Sequence, residues 1–163
     1  MNITIREGKE ADLPGTFALI QELAEYEKAP QEVTNNLDMM REDGFGKNPI
    51  FQFFVAETPE DGIIGIAIYF TAYSTWKGKT IYLEDLVVTE KYRRFGIGKK
   101  LFDAVAKKAE ELGAKRFAWQ VLEWNEPAIK FYQKAKANLD PEWINCRMTE
   151  TELQAYNRTQ HTR

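Results

Sequence analysis

The chain has 163 residues, a net charge of −3, one cysteine (Cys146) and one histidine (His161). Those counts exclude a zinc centre built from several Cys and His ligands, a Ser-His or Cys-His relay and an intramolecular disulfide, so no metal site is expected. The longest apolar stretches fall short of the roughly 18 residues of a membrane helix, and a pI of about 5.4 disfavours nucleic acid as a partner. A lone cysteine and no signal-like leader point to a cytoplasmic setting. Residues 1–150 read as one domain and 151–163 as a polar C-terminal tail that includes His161.

In chain order, residues 3–6 alternate like a short strand. Asp12-Leu13-Pro14 starts a helix, and Phe17, Ile20, Leu23, Ala24 and Glu27 trace one face of it, ending near Tyr26. Thr34 or Asn35 is expected to cap a second short helix through Met40 to Glu42, broken by residues 43–46. Residues 51–57, 63–73 and 80–88 read as strands of an antiparallel meander. Gly96 and Gly98 open a long helix with Leu101, Val105, Ala109 and Leu112 inside and Gly113 as its cap. Residues 116–122 form a strand, Asn125 caps a short helix, and residues 143–148 read as a last strand. The order βααβββαβαβ describes an α+β domain with a central, mostly antiparallel mixed sheet flanked by helices.

Charge is unevenly spread. Residues 22–43 carry seven acids against Lys28 and Arg41, whereas residues 91–100 carry Lys91, Arg93, Arg94, Lys99 and Lys100 and no acid. Each run reads as a solvated surface or as a site, the first for a cation and the second for phosphates. The basic run contains Arg93-x-x-Gly96-x-Gly98 at a strand-to-helix junction. Glycines let backbone N–H groups approach a ligand closely, and a helix start adds unpaired donors and partial positive charge. Together these make a pyrophosphate cradle. It is neither a P-loop, whose Gly-Lys-Ser/Thr run is absent, nor an early three-glycine dinucleotide fingerprint.

With these features the chain resembles the GNAT superfamily of N-acetyltransferases. The glycine motif matches that family's pyrophosphate loop, Leu86-Val87-Val88 its pantetheine-holding strand, and the run from Asn125 to Tyr132 its late helix. Tyr69-Phe70, the run from Tyr73 to Asp85, Leu23-Ala24-Glu25-Tyr26-Glu27 and Asp43-Gly44-Phe45-Gly46 resemble the diamine acetyltransferases, and Ser74-Thr75 resembles the thialysine Nε-acetyltransferase branch. The resemblance implies a single GNAT domain, acetyl-CoA as co-substrate, a small amine as acceptor and a homodimer. It places the cofactor at Leu86, Val87, Val88, Arg93, Arg94, Phe95, Gly96, Ile97, Gly98, Lys99, Asn125, Pro127, Ala128 and Tyr132. Two departures stand out: Lys136-Ala137 where the family often has Gly-Ala, and a short link at residues 140–143 where polyamine enzymes carry a longer acidic loop.

Amine acetylation needs a group to take a proton from an ammonium of pKa near 10.4 and another to protonate the leaving thiolate. Glu84 and Asp85 are adjacent at a strand end, and strict alternation lets only one face the substrate. Glu84 is the choice for the base, as the resemblance also implies. Tyr132, seven residues after Asn125 and so on the same helix side, is the expected acid. Tyr26, Glu27, Trp76 and Asp85 suit the cationic end of the substrate, and Trp119 and Gln120 suit the wall beside the acetyl group. Spermidine/spermine or protein-lysine and N-terminal acetylation on the same fold, and a non-catalytic acyl-CoA-binding module, are the rival readings.

Overall fold

Runs rich in Ile, Val, Phe and Tyr pair in the order in which they occur. β1 (Thr4–Glu7), β2 (Gln52–Thr58), β3 (Gly62–Ser74) and β4 (Gly78–Val88) are successive antiparallel neighbours, and β5 (Arg116–Ala118) pairs parallel to β4. A parallel neighbour requires a crossover, here helix α3 (Ile97–Glu111). Helices α1 (Leu13–Tyr26) and α2 (Leu37–Phe45) lie between β1 and β2 in the chain. The computed structural model describes residues 2–160, so His161 lies outside the described residues.

Apolar side chains from both faces of the sheet decide where the helices sit. Leu13, Leu19 and Met40 of α1 and α2 pack with Phe53, Val55, Ile66, Ile68 and Val87 in one buried cluster. On the opposite face α3 buries Ile97, Leu101 and Val105. A Cβ on Gly65 would stand 3.0 Å from Leu101 Cδ1, so helix and sheet are in close approach there. Truncating a fully buried leucine such as Leu101 costs about 2–5 kcal/mol. The start of α1 is fixed by charge: Arg6 donates to both Asp12 (2.7 and 2.9 Å) and Glu57 (2.9 and 2.7 Å).

The chain forms two compact units, Met1–Gln120 and Val121–Arg163. The first holds the whole sheet with α1 to α3. The second holds α4 (Glu126–Lys134) and α5 (Glu150–Gln160).

Several expected boundaries shift. The cap of α2 is Asn36, not Thr34 or Asn35, because its side chain accepts the Met39 N–H at 2.9 Å, and the helix continues through Gly44 to Phe45. β5 ends at Ala118 rather than at residue 122. The strand expected at residues 143–148 is absent, so the order βααβββαβαβ loses its last strand. Alternation alone does not make a strand without an edge to pair with, and Asp140 instead accepts from Glu142 N–H (3.0 Å) and Trp143 Nε1–H (2.9 Å). Such local side-chain bonds compete with ladders. The polar tail takes helical form over α5: Thr149 N–H donates to Glu152 Oε2 at 2.7 Å, and Glu152 N–H donates back to Thr149 Oγ1 at 3.3 Å.

Candidate active site

β4 leads through a turn at Glu90–Tyr92 into α3. Asp61 anchors this turn, accepting from the buried Tyr92 hydroxyl at 2.6 Å and from the Lys91 ammonium. Arg93 also turns inward. Its Nε donates to Val88 O at 2.9 Å, another nitrogen lies 3.4 Å from Glu22, and its guanidinium covers the Tyr26 ring at 5.2 Å. Glu22 accepts the Glu90 N–H as well, at 3.0 Å. Lys99 pairs with Asp103. Of the five basic residues in the loop, Arg94 and Lys100 are left without a side-chain hydrogen bond or ion pair among the described residues.

The helix start is open. No side chain caps α3, and Gly96 holds a left-handed φ of +73° that a glycine adopts without strain. The N–H groups of the first turn have no acceptor within the helix. A Cβ on Gly98 would meet only Val88 Cγ2 at 3.8 Å, an ordinary contact, so packing within the protein does not demand glycine there. An anion lying close over the helix start would. β5 pairs with β4 only across Thr80–Tyr82, and among the described residues no strand flanks Leu86, Val87 and Val88 on that side. Their outer backbone edge is available to an amide-bearing ligand.

The acidic cluster depends on an irregularity in β4. Ile68 lies opposite Asp85 and Tyr69 opposite Leu83, which leaves Glu84 as the extra residue of a β-bulge. Before the bulge, Leu83 shares the α3 face with Tyr69; after it, Asp85 shares the opposite face with Ile68. Strict alternation would have sent Asp85 to the α3 side. The premise of strict alternation through Glu84 and Asp85 therefore fails. Asp85 is half-buried, makes no hydrogen bond or ion pair among the described residues, and is pushed up to about 7 by burial, then by Glu84 and Glu27. Glu27, the C-cap of α1, is raised by burial. Burial, Glu84 and Asp85 raise Tyr82, which packs on Phe70 at 5.2 Å. Among the described residues no positive side chain acts on these groups, so the cluster suits a bound cation.

The other expected residues have their own settings. The Tyr26 ring is engaged by Arg93. Trp76 is 88% exposed on the β3–β4 turn, where buried Ser74 accepts the Lys77 N–H at 3.1 Å. Trp119 lies edge-on to Phe102 at 5.1 Å and tilted to Phe117 at 5.0 Å, and Gln120 is exposed. In the second unit Asn125 caps α4 by accepting the Ala128 N–H at 3.4 Å, with Pro127 in the first turn. Tyr132 is buried and meets Phe131 edge-on at 5.3 Å. Lys136, where the family often has glycine, holds φ +61°.

Residues 17–136 match the Acetyltransferase (GNAT) family. The chain belongs to that family. This GNAT protein is 42% identical over 139 residues to the thialysine N-epsilon-acetyltransferase of Sus scrofa, covering 81% of this chain and 82% of that one. It is 34% identical over 147 residues to the L-ornithine N5-acetyltransferase of Arabidopsis thaliana, covering 89% and 62%. A solved aminoglycoside N-acetyltransferase in complex with CoA shares the fold, with a TM-score of 0.72 at 20% identity over 90% of this chain and 95% of that one. The protein is an N-acetyltransferase, and GNAT enzymes draw their acetyl group from acetyl-CoA. The uncapped helix, the open space over Gly98 and the free edge of β4 fit a diphosphate and the amides of its arm. Glu22 was read only as part of the acidic run 22–43 and Asp61 was not singled out; their partners in the loop are 68 and 31 residues away in the chain, and no local pattern marks those ties.

Proposed function

We propose that this GNAT enzyme transfers the acetyl group of acetyl-CoA to a primary amine of a small cationic acceptor, thialysine- or lysine-like or a short diamine, by direct attack in a ternary complex. The observation that carries this reading is the cluster of three carboxyl groups in which Glu27 and Glu84 both act on Asp85 and, among the described residues, no positive side chain does. The names of the thialysine and ornithine relatives support the same class of acceptor. Acetyl-CoA supplies an already activated thioester, so the chain needs only binding, orientation and proton handling. The glycine loop with Arg94 holds the diphosphate, and the edge of β4 at Leu86, Val87 and Val88 orients the arm. The acidic residues hold the ammonium and manage its proton, and the Tyr132 phenol protonates the departing sulfur. Residues 1–150 act as the catalytic domain. We further read the enzyme as cytoplasmic, on its single cysteine, and as a homodimer, on its resemblance to the diamine acetyltransferases.

CoA-thiol release across thialysine, lysine, putrescine, spermidine and a histone-like peptide tests the assignment. Turnover is expected to be highest with thialysine, lysine or putrescine. Preference for spermidine or the peptide moves the acceptor to another class, and CoA binding without turnover of any amine removes the enzymatic reading.

A further inference from the structure

Helices α1 and α2 cover only part of their face of the sheet. Ile66 and Ile68 of β3 and Val87 of β4 are buried beneath them. Beyond Ile68 the same face continues through Phe70 and Ala72, because alternate residues of a strand share a side. Opposite these stand Tyr82 and Thr80 of β4, and opposite those Ala118 and Arg116 of β5. Phe70 and Tyr82 are partly exposed with their ring centroids 5.2 Å apart, and Ala72 and Ala118 add only short side chains beside them. The result is an aromatic floor with a charge at each end. Asp85, opposite Ile68, stands at one end and Arg116 at the other.

Arg116 is held but not neutralised. Its Nε donates to the buried Thr80 hydroxyl at 3.2 Å, and that hydroxyl donates onward to Gly78 O at 3.4 Å. Its two terminal nitrogens make no hydrogen bond or ion pair among the described residues. A guanidinium fixed in this way offers a planar fork that fits a carboxylate. Strand β3 measures the distance between the two charges. From Ala72, opposite Thr80, to Ile68, opposite Asp85, the strand takes four residue steps, about 13 Å at ~3.3 Å per step. An extended lysine-like chain spans about 7 Å from its ε-nitrogen to its carboxylate carbon, and a charged hydrogen bond at each end adds about 3 Å. The two lengths agree. A diamine of that length would instead set its second ammonium against the guanidinium. We infer that Arg116 is a specificity-determining residue that receives the carboxylate of the acceptor, so that the enzyme selects an amino acid of lysine-like length over a diamine. This rests on the amine-acetyltransferase reading above.

The test measures kcat and KM at saturating acetyl-CoA for lysine, ε-aminocaproate and cadaverine, which share one chain of methylenes and differ in the group at the far end. The wild type should favour both carboxylate-bearing acceptors over cadaverine in kcat/KM by about tenfold or more. Arg116→Gln should raise KM for lysine and ε-aminocaproate by about tenfold, with kcat kept, and leave cadaverine unchanged or improved. Arg116→Lys retains the charge and should restore most of the preference, whereas Arg116→Glu should invert it toward cadaverine. If Arg116→Gln alters all three acceptors alike, or none of them, Arg116 serves only the packing of β5 and the inference falls. It falls equally if the wild type prefers cadaverine to both carboxylate-bearing acceptors. Should Arg116→Gln lower Tm, the comparison within that variant still decides, because a loosened β5 affects the three acceptors alike. A wild type that turns over no amine overturns the underlying reading instead, and is seen before any variant is made.

Discussion

Arg93 covers the ring of Tyr26, 5.2 Å from its centroid, and so joins the glycine loop to the helix end that carries Glu27. The same guanidinium donates to Val88 O and faces Glu22, so it ties the loop to β4 and to α1. The loop and the C-terminal end of α1 therefore share one anchor. Arg93→Ala is expected to raise KM for acetyl-CoA and for the amine together, each by about tenfold, a loss of ~1.4 kcal/mol per site. Glu22→Gln should have a smaller effect in the same direction. Initial rates with both substrates varied provide the check, and an unchanged amine KM would confine Arg93 to the loop.

The two loop glycines should separate stability from binding. Gly96 has a left-handed φ, so Gly96→Ala should cost about 1–2 kcal/mol of stability. Gly98→Ala has room against Val88 and should fold normally, yet weaken acetyl-CoA binding by about tenfold or more. Thermal unfolding paired with calorimetric titration of CoA reads both effects. Normal CoA affinity in Gly98→Ala would mean the ligand does not pass close over that residue.

Asp85 makes stability depend on pH in an unusual sense. Its folded pKa of about 7 lies above its ordinary value of 3.8, so the native state favours the protonated form. That contribution is fully present below about pH 4 and is lost as pH rises through 7. Asp85→Asn removes that contribution. The variant should match the wild type near pH 4 and exceed it by about 2–4 kcal/mol at pH 8. Urea unfolding at several pH values measures the gap, and a gap that stays constant from pH 4 to 8 would exclude a raised Asp85.

Helix α4 ends on a lysine where α3 ends on a glycine. Gly113 and Lys136 both hold left-handed φ, and in both the following N–H closes back on the helix: Ala114 to Ala109 O at 2.9 Å, Ala137 to Tyr132 O at 3.1 Å. Lysine bears a Cβ penalty there. Lys136→Gly should stabilise the protein by about 1 kcal/mol, raising Tm by about 2–4 °C. No gain in Tm would mean that the Lys136 side chain compensates through contacts of its own.

Tyr132→Phe keeps the ring in its buried place beside Phe131 and removes the hydroxyl. With the phenol as acid, kcat should fall by about 10²–10⁴-fold while acetyl-CoA affinity is nearly unchanged. Retained kcat would take the acid role away from Tyr132.

The glycine loop and the strand before it were legible in the sequence because their chemistry is local: spacing alone puts Arg93, Gly96 and Gly98 at a strand-to-helix junction. The meander was legible for the same reason, since each strand pairs with the next. Asp85 was harder. Periodicity assumes an unbroken ladder, and a bulge reveals itself only in the pairing with β3. The tie from Glu22 to Glu90 spans 68 residues and leaves no trace in either segment. Helix α5 was legible but passed over, for Thr149 and Glu152 have the spacing of a capping box.

The extra residue in β4 also has a consequence for how such a site can diversify. The ladder is complete on either side of Glu84, with Leu83 opposite Tyr69 and Asp85 opposite Ile68. Glu84 is thus a supernumerary position whose side chain is not needed to hold inside and outside apart. A substitution at Glu84 therefore leaves the pairing of β3 with β4 and the interior under the sheet as they are.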